Sequence, residues 1–526
     1  MKKIFFLTGI LFACAEIRAQ VPEDAKLYSW YQQNGTARNM AIGGAMGSLG
    51  GDLSALYVNP AGLGFYRTRE FVFAPQFYLN SNKANFLNQQ TSQKKNTFSV
   101  GTIGAVFGGG SDKPGKKSAA FAVGFTQVAN LANNYYYKGL NNYSSYAETF
   151  AEEMAKPLPD GSTISAEDLL NTMSIMPYGA APAFYTYLID TIPINGATQI
   201  RAATENILDA GNAIQQEFRK QSKGGIYELA VGGAINTNDK WLFGGTLGIP
   251  VIDYTSETNV KETDTSSNKL NGFQSFDYTY KYRSTGIGVN LKLGAIFRPA
   301  EYFRVGLALH SPSFMFLSDE INSNLRTVLE DTSGNNEVFE VSSKQFTNGE
   351  PGKADYRQTA PWKAILSASY VFREVEDVTK QRGFITADIE YVNHKASRFG
   401  KFKTEDAAEV PKEYYDALNE VIKQQYKGTF NVRVGGEIKF NTIMGRLGFA
   451  YYGNPYASDN TLKARKMLLS GGLGYRNKGF FADLTYVHNM TKDAQYPYRL
   501  ADRSNPYYAS LKQTTGIVTG TIGWKF

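Results

Sequence analysis

The three histidines of the chain, His310, His394 and His488, are the residues best suited to chemistry, because hydrolytic sites and haem-iron ligation both use histidine. No serine–aspartate pairing and no haem-attachment motif accompanies any of them in the sequence. His310 lies in an alternating segment and is predicted to face inward, whereas His394 and His488 are predicted near strand ends that face the outer loops. The sequence therefore predicts that the chain is not an enzyme and holds no metal and no cofactor.

Cys14 is the only cysteine, and it lies in an N-terminal segment, residues 1–19, with the features of a secretory signal peptide. This segment, MKKIFFLTGILFACAEIRA, has two early lysines, an apolar stretch too short to span a bilayer, and a cleavage point after Ala19. Cleavage there leaves a mature chain without cysteine, and hence without disulfides or cysteine-bound metal. The alternative is that LFAC, Leu11 to Cys14, acts as a lipobox and that Cys14 is lipidated.

Aromatic residues and glycine are abundant in this chain of 526 residues, which contains 34 Tyr, 34 Phe and 51 Gly. Beyond the N-terminal segment there is no long apolar run, so helical membrane spans are not expected. An excess of tyrosine, phenylalanine and glycine without such runs is typical of a transmembrane β-barrel. The formal net charge of +7 is spread along the chain, which argues against a nucleic-acid partner.

Alternating polar and apolar stretches predict β-strands from Glu70 onward. In NVRVGGEIKF, for example, Val432, Val434 and Ile438 share one face, and charged side chains share the other. Fourteen such strands are predicted, beginning near residues 70, 96, 118, 224, 242, 273, 303, 355, 382, 429, 443, 465, 479 and 513. Outer-membrane barrels have an even number of strands. The predicted fold class is therefore an all-β membrane protein, with an antiparallel transmembrane β-barrel of about 14 strands over residues 69–526.

The connections between these strands alternate in length. Every second one is predicted to be a short periplasmic turn, at residues 108–117, 236–240, 298–302, 374–383, 441–445 and 476–479. The others are long, and two of them, at about 138–222 and 404–428, are predicted to be helical extracellular insertions. Within them, a capping start at Ser165 and a 3.6-residue apolar spacing predict helices at 165–173, 197–221 and 411–428. These helices either cap the barrel mouth or present an apolar landing surface for a substrate.

A small and flexible stretch, SALYVNPAGLGFY from Ser54 to Tyr66, precedes the first predicted strand and follows the glycine-rich run AIGGAMGSLGGD. A segment that plugs a barrel must approach the wall closely, which requires glycine and alanine. Pro60 sets a turn, and the side chain of Asn59 can hydrogen-bond the nearby backbone. Residues 20–68 are therefore predicted to form an N-terminal plug inside the barrel.

Charged side chains predicted on the inner face of the wall are the expected neighbours of this plug. They are Asp388, Glu390, Arg433, Glu437 and Lys439. Buried charges are normally paired, so these groups are expected to pair with one another. The alternative is that they satisfy polar groups of the plug.

The block NPAGLGFY, with its glycine-rich lead-in, resembles the hatch motif of the FadL/OmpP1/TodX family of outer-membrane transporters. The resemblance implies that Asn59, Pro60, Ala61, Gly62 and Leu63 form a hatch motif. It also implies passive uptake of hydrophobic compounds, such as long-chain fatty acids, which leave sideways through a gap in the wall.

An early strand with a kink is a further feature that the resemblance implies. Gly124, or the break in alternation near Asn130, is the candidate kink, since both are consistent with a bulge. The longest insertion lies between the third and fourth strands, unlike the usual substrate-capturing loops of the family. The outer binding site is therefore not carried over to this chain.

The outer membrane of a Gram-negative, Bacteroidetes-like bacterium is the predicted location. The predicted partners are hydrophobic small molecules, outer-membrane lipid and, through the aromatic terminus Phe526, the outer-membrane assembly machinery; no nucleic-acid partner is expected. Two alternatives within the same resemblance remain. One is a surface shuttle related to type IX secretion, with a protein-binding outer mouth. The other is a haemin receptor.

Overall fold

The computed structural model describes residues 22–526 except 111–116, 157–164, 195–196, 373–381, 403–409, 458–463, 502 and 504–505. The signal peptide predicted at 1–19, including Cys14, lies outside the described residues, as do most of the turn predicted at 374–383 and the middle of the one at 108–117. Among the described helices, none combines the length and the apolar character that a bilayer span requires.

The strands follow the alternation seen in the sequence. They are β1 Arg69–Phe86, β2 Gln89–Gly110, β3 Ser118–Asn130, β4 Asn133–Asn141, β5 Ile189–Ile194, β6 Ala197–Ala202, β7 Ile214–Thr237, β8 Trp241–Asp264, β9 Ser275–Ala300, β10 Phe303–His310, β11 Ser313–Glu330, β12 Asn336–Ser342, β13 Gly352–Ala360, β14 Lys363–Phe372, β15 Gly383–Asn393, β16 Arg398–Lys401, β17 Gly428–Phe440, β18 Ile443–Tyr452, β19 Arg465–Asn477, β20 Phe480–Gln495 and β21 Ala509–Lys525.

Helices occur in the N-terminal segment and in the connections. The α-helices are α1 Pro22–Leu27, α2 Ala37–Ala41, α3 Ala55–Val58, α4 Ala147–Ala155, α5 Ala166–Ile175, α6 Ala180–Tyr185, α7 Glu205–Asp209 and α8 Lys412–Gln425. The 3-10 helices are Pro60–Phe65, Ser343–Phe346 and His394–Ala396.

The strands form a closed antiparallel barrel of fourteen wall strands, because β1 pairs with both β2 and β21. Four wall strands consist of two consecutive segments each, namely β3 with β4, β10 with β11, β13 with β14 and β15 with β16. The predicted number of strands is confirmed. Closure removes the two free edges that an open sheet would expose, as a lipid-facing sheet requires.

The outer face of the wall carries an apolar belt bounded by aromatic side chains. At the inner end, Trp241 stacks on Phe297 with ring centroids 4.2 Å apart. At the outer end, Tyr391 contacts Trp362 at 5.5 Å and Phe430 at 5.1 Å. An outward apolar band between two aromatic girdles is typical of the lipid-facing surface of a transmembrane barrel.

The helix predicted at 197–221 is wrong. Its residues form β6, the short helix α7 and the beginning of β7, which starts at Ile214 rather than near 224. Ile214 and Phe218 fit a two-residue period as well as a helical one, and Phe218 pairs with Val260 of β8. The local sequence permits both a helical and a strand period, and strand pairing selects the strand. The insertion is therefore shorter than the predicted range 138–222 and consists of the residues between β4 and β7.

The first outer connection is also shorter than expected, because β2 begins at Gln89 rather than near 96. Leu87 and Asn88 alone join β1 to β2, and both have positive φ, as two-residue hairpin turns require. The start of β2, QQTSQKKN, is polar on both faces and gives no alternation signal.

Two predicted helices are confirmed. Ser165 directly precedes α5 and forms a reciprocal cap, in which the Asp168 amide donates to Ser165 Oγ at 3.1 Å and the Ser165 amide donates to Asp168 Oδ2 at 3.0 Å. Helix α8 occupies most of the range predicted at 411–428.

Candidate functional site

The N-terminal segment, residues 22–68, lies within the barrel before β1 begins. From Asn34 to Gly64 every residue except Arg38 and Gly51 is buried. Its backbone is tied to the wall by side chains of the last strands: Thr521 accepts from the Ala37 amide at 2.8 Å, and Thr485 donates to the Ala37 carbonyl at 2.7 Å. The barrel interior thus supplies polar partners that this irregular backbone needs.

Asn59 organises the predicted hatch motif. Its Oδ1 accepts from the Ala61 amide at 3.1 Å and caps the 3-10 helix that begins at Pro60. Its Nδ2 donates to the Gly47 carbonyl at 2.6 Å, which joins the motif to the glycine-rich lead-in. The Gly62 amide donates to the Asn59 carbonyl at 2.9 Å, so both the side chain and the backbone of Asn59 hold this turn.

Gly62 and Leu63 bring the motif into close contact with its surroundings. An added Cβ on Gly62 would lie 2.8 Å from Gly50 Cα, so glycine is required where the two turns touch. Leu63 is fully buried in an apolar cluster with Leu56 and with residues of the wall. The five motif residues therefore form one compact turn against the inside of the barrel.

Glycines of the wall make room for the N-terminal segment, and sequence reasoning missed them. At Gly244 an added Cβ would lie 2.6 Å from the Ala61 amide nitrogen, and at Gly124 it would lie 2.8 Å from the Tyr57 hydroxyl. The wall glycines whose added Cβ would come within 3 Å of the segment are Gly104, Gly108, Gly124, Gly232, Gly244, Gly294, Gly306, Gly435, Gly448 and Gly472. A sequence pattern that could have revealed these wall glycines is the recurrence of glycine at inward-facing positions in several successive strands.

The inward charges pair with one another and also hold the N-terminal segment. Arg433, which is 1% exposed, lies 3.6 Å from Asp388 and 3.3 Å from Glu390. Asp388 Oδ2 also accepts from the Gly47 amide at 3.1 Å. Both interpretations of these charges are therefore realised in one network, and charge burial is offset by ion pairs and hydrogen bonds.

A second network extends towards the inner end of the barrel. Arg446 lies 2.6 Å from Glu437 and 2.5 Å from Asp483, and Arg38 of the N-terminal segment lies 3.7 Å from Glu437. Lys439, the remaining predicted inward charge, is half-buried near the end of β17.

The wall is interrupted between β2 and the strand formed by β3 and β4. Gly124 pairs regularly with Gly104 and Ala230, whereas the register shifts between Gln127 and Ala129. Asn130 is the last residue of β3, next to this shift. In the described part of these strands, the ladder between β2 and β3 ends at Thr102 and Thr126, and β4 has no ladder with β2.

Polar side chains span this interruption. Lys95 Nζ of β2 donates to the Ser222 carbonyl of β7 at 2.7 Å. Asn80 of β1 donates to the Ala132 carbonyl at 3.2 Å, in the two-residue connection between β3 and β4. The interruption is therefore bridged by side chains where backbone pairing is missing.

An apolar cluster rich in tyrosine includes the beginning of the N-terminal segment, from Ala25 to Trp30, and is termed here the inner aromatic cluster. It connects helix α8 through helix α1 to Ala129 and Ile226, which flank the wall interruption. Its buried members are Ala25, Tyr28, Trp30, Ala129, Ile226, Ile252, Tyr254, Tyr282, Met315, Leu317, Ile321, Tyr356, Ala360, Phe399, Val410, Tyr414, Tyr415, Leu418, Ile422, Tyr426, Tyr456 and Ala464. Helix α8 thus contributes an apolar surface to the barrel interior.

A buried carboxyl group makes the connection between β4 and β7, termed here the outer cap, sensitive to pH. Burial raises the pKa of Glu153, in α4, from 4.5 to about 7, and its Oε2 accepts from the Ala180 amide at 3.1 Å. A raised pKa in the folded state means that the contribution to stability is complete below about 4.5 and is lost as the pH rises through about 7.

Amide hydrogen exchange of α4, corrected for intrinsic rates, is therefore expected to be slower at pH 5 than at pH 8. The neutral Glu153→Gln variant should show less of this difference, because residue 153 no longer titrates, whereas the buried Glu262, which accepts from the Tyr146 amide just before α4, still does. Equal pH dependence in the variant and the parent chain would exclude Glu153 as the cause.

The three histidines lie in different surroundings. His310 Nε2 contacts the Val58 carbonyl at 2.9 Å, and His394 Nδ1 contacts Ser29 Oγ at 3.0 Å. His488 lies on the outer, lipid-facing side of β20, with Nδ1 3.3 Å from the Tyr486 hydroxyl, rather than at an outer loop. Among the described residues, no group of three His, Cys, Asp or Glu side chains is arranged to hold a metal ion.

Comparison with known proteins places the fold. No protein-family model matches the chain, and no curated protein matches it. A FadL homologue of Pseudomonas aeruginosa is similar in structure, with a TM-score of 0.54 and 13% identity over 94% of this chain and 98% of that one. This likeness shows a shared fold, and in architecture the chain resembles the FadL-type transporters.

Two toluene transporters are also similar in structure. TodX of P. putida has a TM-score of 0.48 and 12% identity, over 95% of this chain and 99% of its own. TbuX of Ralstonia pickettii has a TM-score of 0.48 and 14% identity, over 94% of this chain and 99% of its own.

Proposed function

We propose that this chain is an outer-membrane channel for the passive uptake of hydrophobic compounds. The observation that carries the proposal is the continuity of the inner aromatic cluster, which runs from helix α8 at the outer mouth to Ala129 and Ile226 at the wall interruption. Buried aromatic and aliphatic side chains offer an apolar ligand an environment similar to the lipid that it enters at the end of the route. The fold shared with a FadL homologue supports the same class of function.

The proposed route begins at the outer mouth, passes the inner aromatic cluster and ends at the wall interruption. Tyrosines suit such a route, because their rings stack on apolar or aromatic cargo while their hydroxyls bind the surrounding polar groups. Tyr282, for example, donates to Asp319 at 2.9 Å while its ring contacts Tyr254 at a centroid distance of 6.0 Å. No external energy source is invoked, since partition between apolar surfaces drives each step.

Long-chain fatty acids are the proposed cargo within this class. Their acyl chains need a long apolar contact, and the inner aromatic cluster extends through much of the outer half of the barrel. Uptake of a fluorescent long-chain fatty acid by cells with and without the gene tests this choice, at matched outer-membrane integrity. Loss of uptake on deletion, restored by the parent gene, supports it. Unchanged fatty-acid uptake with loss of toluene uptake would reassign the cargo.

Residues 20–68 act in this proposal as a hatch, with Asn59 as the residue that holds its turn. Asn59→Ala removes the cap on the 3-10 helix, which typically costs about 1 kcal/mol, and leaves the Gly47 carbonyl without its donor. The barrel should still assemble, because its strand pairing is untouched, but uptake should fall several-fold. Pro60→Ala should act in the same direction.

The matched control for this prediction is Asn85→Ala, on the exposed outer face of β1. Uptake is compared at equal surface abundance, with barrel folding followed by the heat-dependent shift in gel mobility. Normal transport by both motif variants would contradict the role given to Asn59 and Pro60.

A surface partner for secreted proteins is the second candidate function, and exposed aromatic side chains on the outer cap favour it. Tyr187 packs against Phe339 at 5.1 Å and Tyr185 against Phe346 at 5.9 Å, yet both tyrosines are about half exposed, at 54% and 47%. Exposed aromatic groups are typical anchors of protein interfaces. Co-purification of a secreted protein that is lost in Tyr185→Ser/Tyr187→Ser, with fatty-acid uptake intact, would favour this candidate.

A further inference from the structure

Four basic side chains form a row on the outer face of the wall, where the two ends of the barrel meet. Strand register pairs Arg465 with Lys492, Lys492 with Lys512, and Lys512 with Lys83. The four residues therefore lie side by side on β19, β20, β21 and β1, with adjacent strands about 4.8 Å apart. All four are exposed, and they are termed here the basic row.

The basic row lies just above the apolar belt. Four residues further towards the inner end, β19 exposes Leu469 and β1 exposes Leu79, both to the outside of the barrel. Four residues of strand span about 13 Å at most. The cations are thus at the depth where the headgroups of the outer leaflet meet its acyl chains.

No carboxylate of the described chain neutralises the basic row. Some basic groups elsewhere on the outer rim have acidic neighbours, as with Lys281 and Glu257 at 3.7 Å or Arg283 and Asp253 at 3.9 Å. Among the described residues, none of the four cations of the basic row has a carboxylate within 4 Å. Like charges directly opposite on paired strands destabilise a sheet, so an external anion would offset a cost that the chain leaves uncompensated.

A groove on the same side of the wall begins below the basic row. It has a volume of about 720 Å³ and is lined by residues of β15 and of β17 to β20, including Val434, Phe449, Leu469 and Tyr486. Its floor is formed by glycine on either side of Leu447, because register pairs Leu447 with both Gly436 and Gly471. An apolar groove that leads from a cluster of cations has the shape and chemistry of a lipid site.

We propose that the basic row binds the phosphate groups of an anionic lipid of the outer leaflet, and that the groove holds one of its acyl chains. Phosphate suits the row because each anion reaches two neighbouring cations, and charge-assisted hydrogen bonds to phosphate are strong. The site is on the outside of the wall, so it is independent of what passes through the barrel. Bound lipid would stabilise the pairing of β21 with β1, at which the barrel closes.

The charge test compares two triple variants of the full chain in detergent. Lys83→Gln/Lys492→Gln/Lys512→Gln removes three charges from the basic row. Lys261→Gln/Lys353→Gln/Lys427→Gln removes three exposed charges, which lie in β8, in β13 and in the connection between α8 and β17. Binding of diphosphorylated lipid A to delipidated protein is followed by native mass spectrometry, with gel mobility as the check on folding.

The row variant is expected to bind the diphosphorylated lipid at least about tenfold more weakly, since each lysine near a charged lipid surface is worth about fivefold. The control variant should bind as the parent chain does. The same lipid without its phosphates should bind the parent chain about as weakly as the diphosphorylated form binds the row variant. Equal losses in both variants, or equal binding of the phosphate-free lipid, would overturn the proposal. Displacement of the lipid by an equal concentration of inorganic phosphate would assign the row to free phosphate instead.

The groove has its own test. An added Cβ on Gly471 meets only Leu447 Cδ2 at 3.5 Å and Arg446 O at 3.8 Å, so Gly471→Phe fills the groove without displacing backbone. This variant should bind the lipid several-fold more weakly. The control is Gly445→Phe, which also faces outward but lies outside the residues that line the groove. Unchanged lipid binding in Gly471→Phe would remove the acyl-chain part of the proposal.

Discussion

Gly244→Val is expected to displace the N-terminal segment from the barrel and to open a conductive path through it. An added Cβ at residue 244 overlaps the backbone of Pro60 and lies 2.6 Å from the Ala61 amide nitrogen. Backbone cannot turn aside as the end of a side chain can, so the 3-10 helix that begins at Pro60 must move away from β8. Overpacking of this kind costs about 1–3 kcal/mol, which raises the displaced population by about fivefold to a hundredfold.

Conductance in planar bilayers and protease cleavage within residues 22–68 measure this displacement. Gly445→Val is the matched control, because an added Cβ there meets no atom within 4 Å and faces outward. Both variants should form a barrel with the usual gel mobility, but only Gly244→Val should show raised conductance and faster cleavage. Parent-like conductance in Gly244→Val would mean that the segment tolerates the wall at this point without moving.

Arg433→Met is expected to lower the free energy of unfolding more than any substitution of an exposed charge. The guanidinium is buried between Asp388 and Glu390, at 3.6 and 3.3 Å, and its removal leaves two buried carboxylates close together. Breaking a buried ion pair by removing one partner typically costs about 3–5 kcal/mol. Because Asp388 also accepts from the Gly47 amide, the N-terminal segment should loosen together with the wall.

Urea unfolding of the barrel, followed by tryptophan fluorescence and gel mobility, measures this loss. Arg283→Met is the control, since Arg283 lies 3.9 Å from Asp253 at an exposed position and such pairs contribute about 1 kcal/mol or less. A loss in Arg433→Met no larger than in Arg283→Met would contradict the role given to the buried network. Asp388→Asn in the Arg433→Met background should recover part of the stability, because it removes one of the two stranded charges.

The turn at the centre of the candidate site could be predicted from the sequence, but the wall residues that surround the turn could not. Turn chemistry and the glycine-rich lead-in predicted a turn at Asn59 and Pro60 from local properties of the sequence, and the resemblance to a known motif singled these residues out. The wall glycines, such as Gly244 and Gly294, have no local signal for contact with these residues. Their contact depends on strands far along the chain reaching the same depth inside the barrel.

Some local predictions failed because two structures fit the same residues. Ile214 and Phe218 satisfy helical spacing and strand alternation alike, and pairing with β4 and β8 decides for the strand. The polar start of β2 has no apolar face, so only its pairing with β1 reveals it as a strand. Cooperative pairing thus overrides weak local preference, as is usual in sheets.

The sequence by itself determined the barrel, its fourteen strands, the inward charges and the turn that precedes the first strand, because alternation and turn chemistry act between neighbours in the chain. The tertiary structure alone decided which residues that are distant in the sequence contact one another. Arg433 finds its two carboxylates through register between β15 and β17. The basic row exists only because closure of the barrel places Lys83 of the first strand opposite Lys512 of the last.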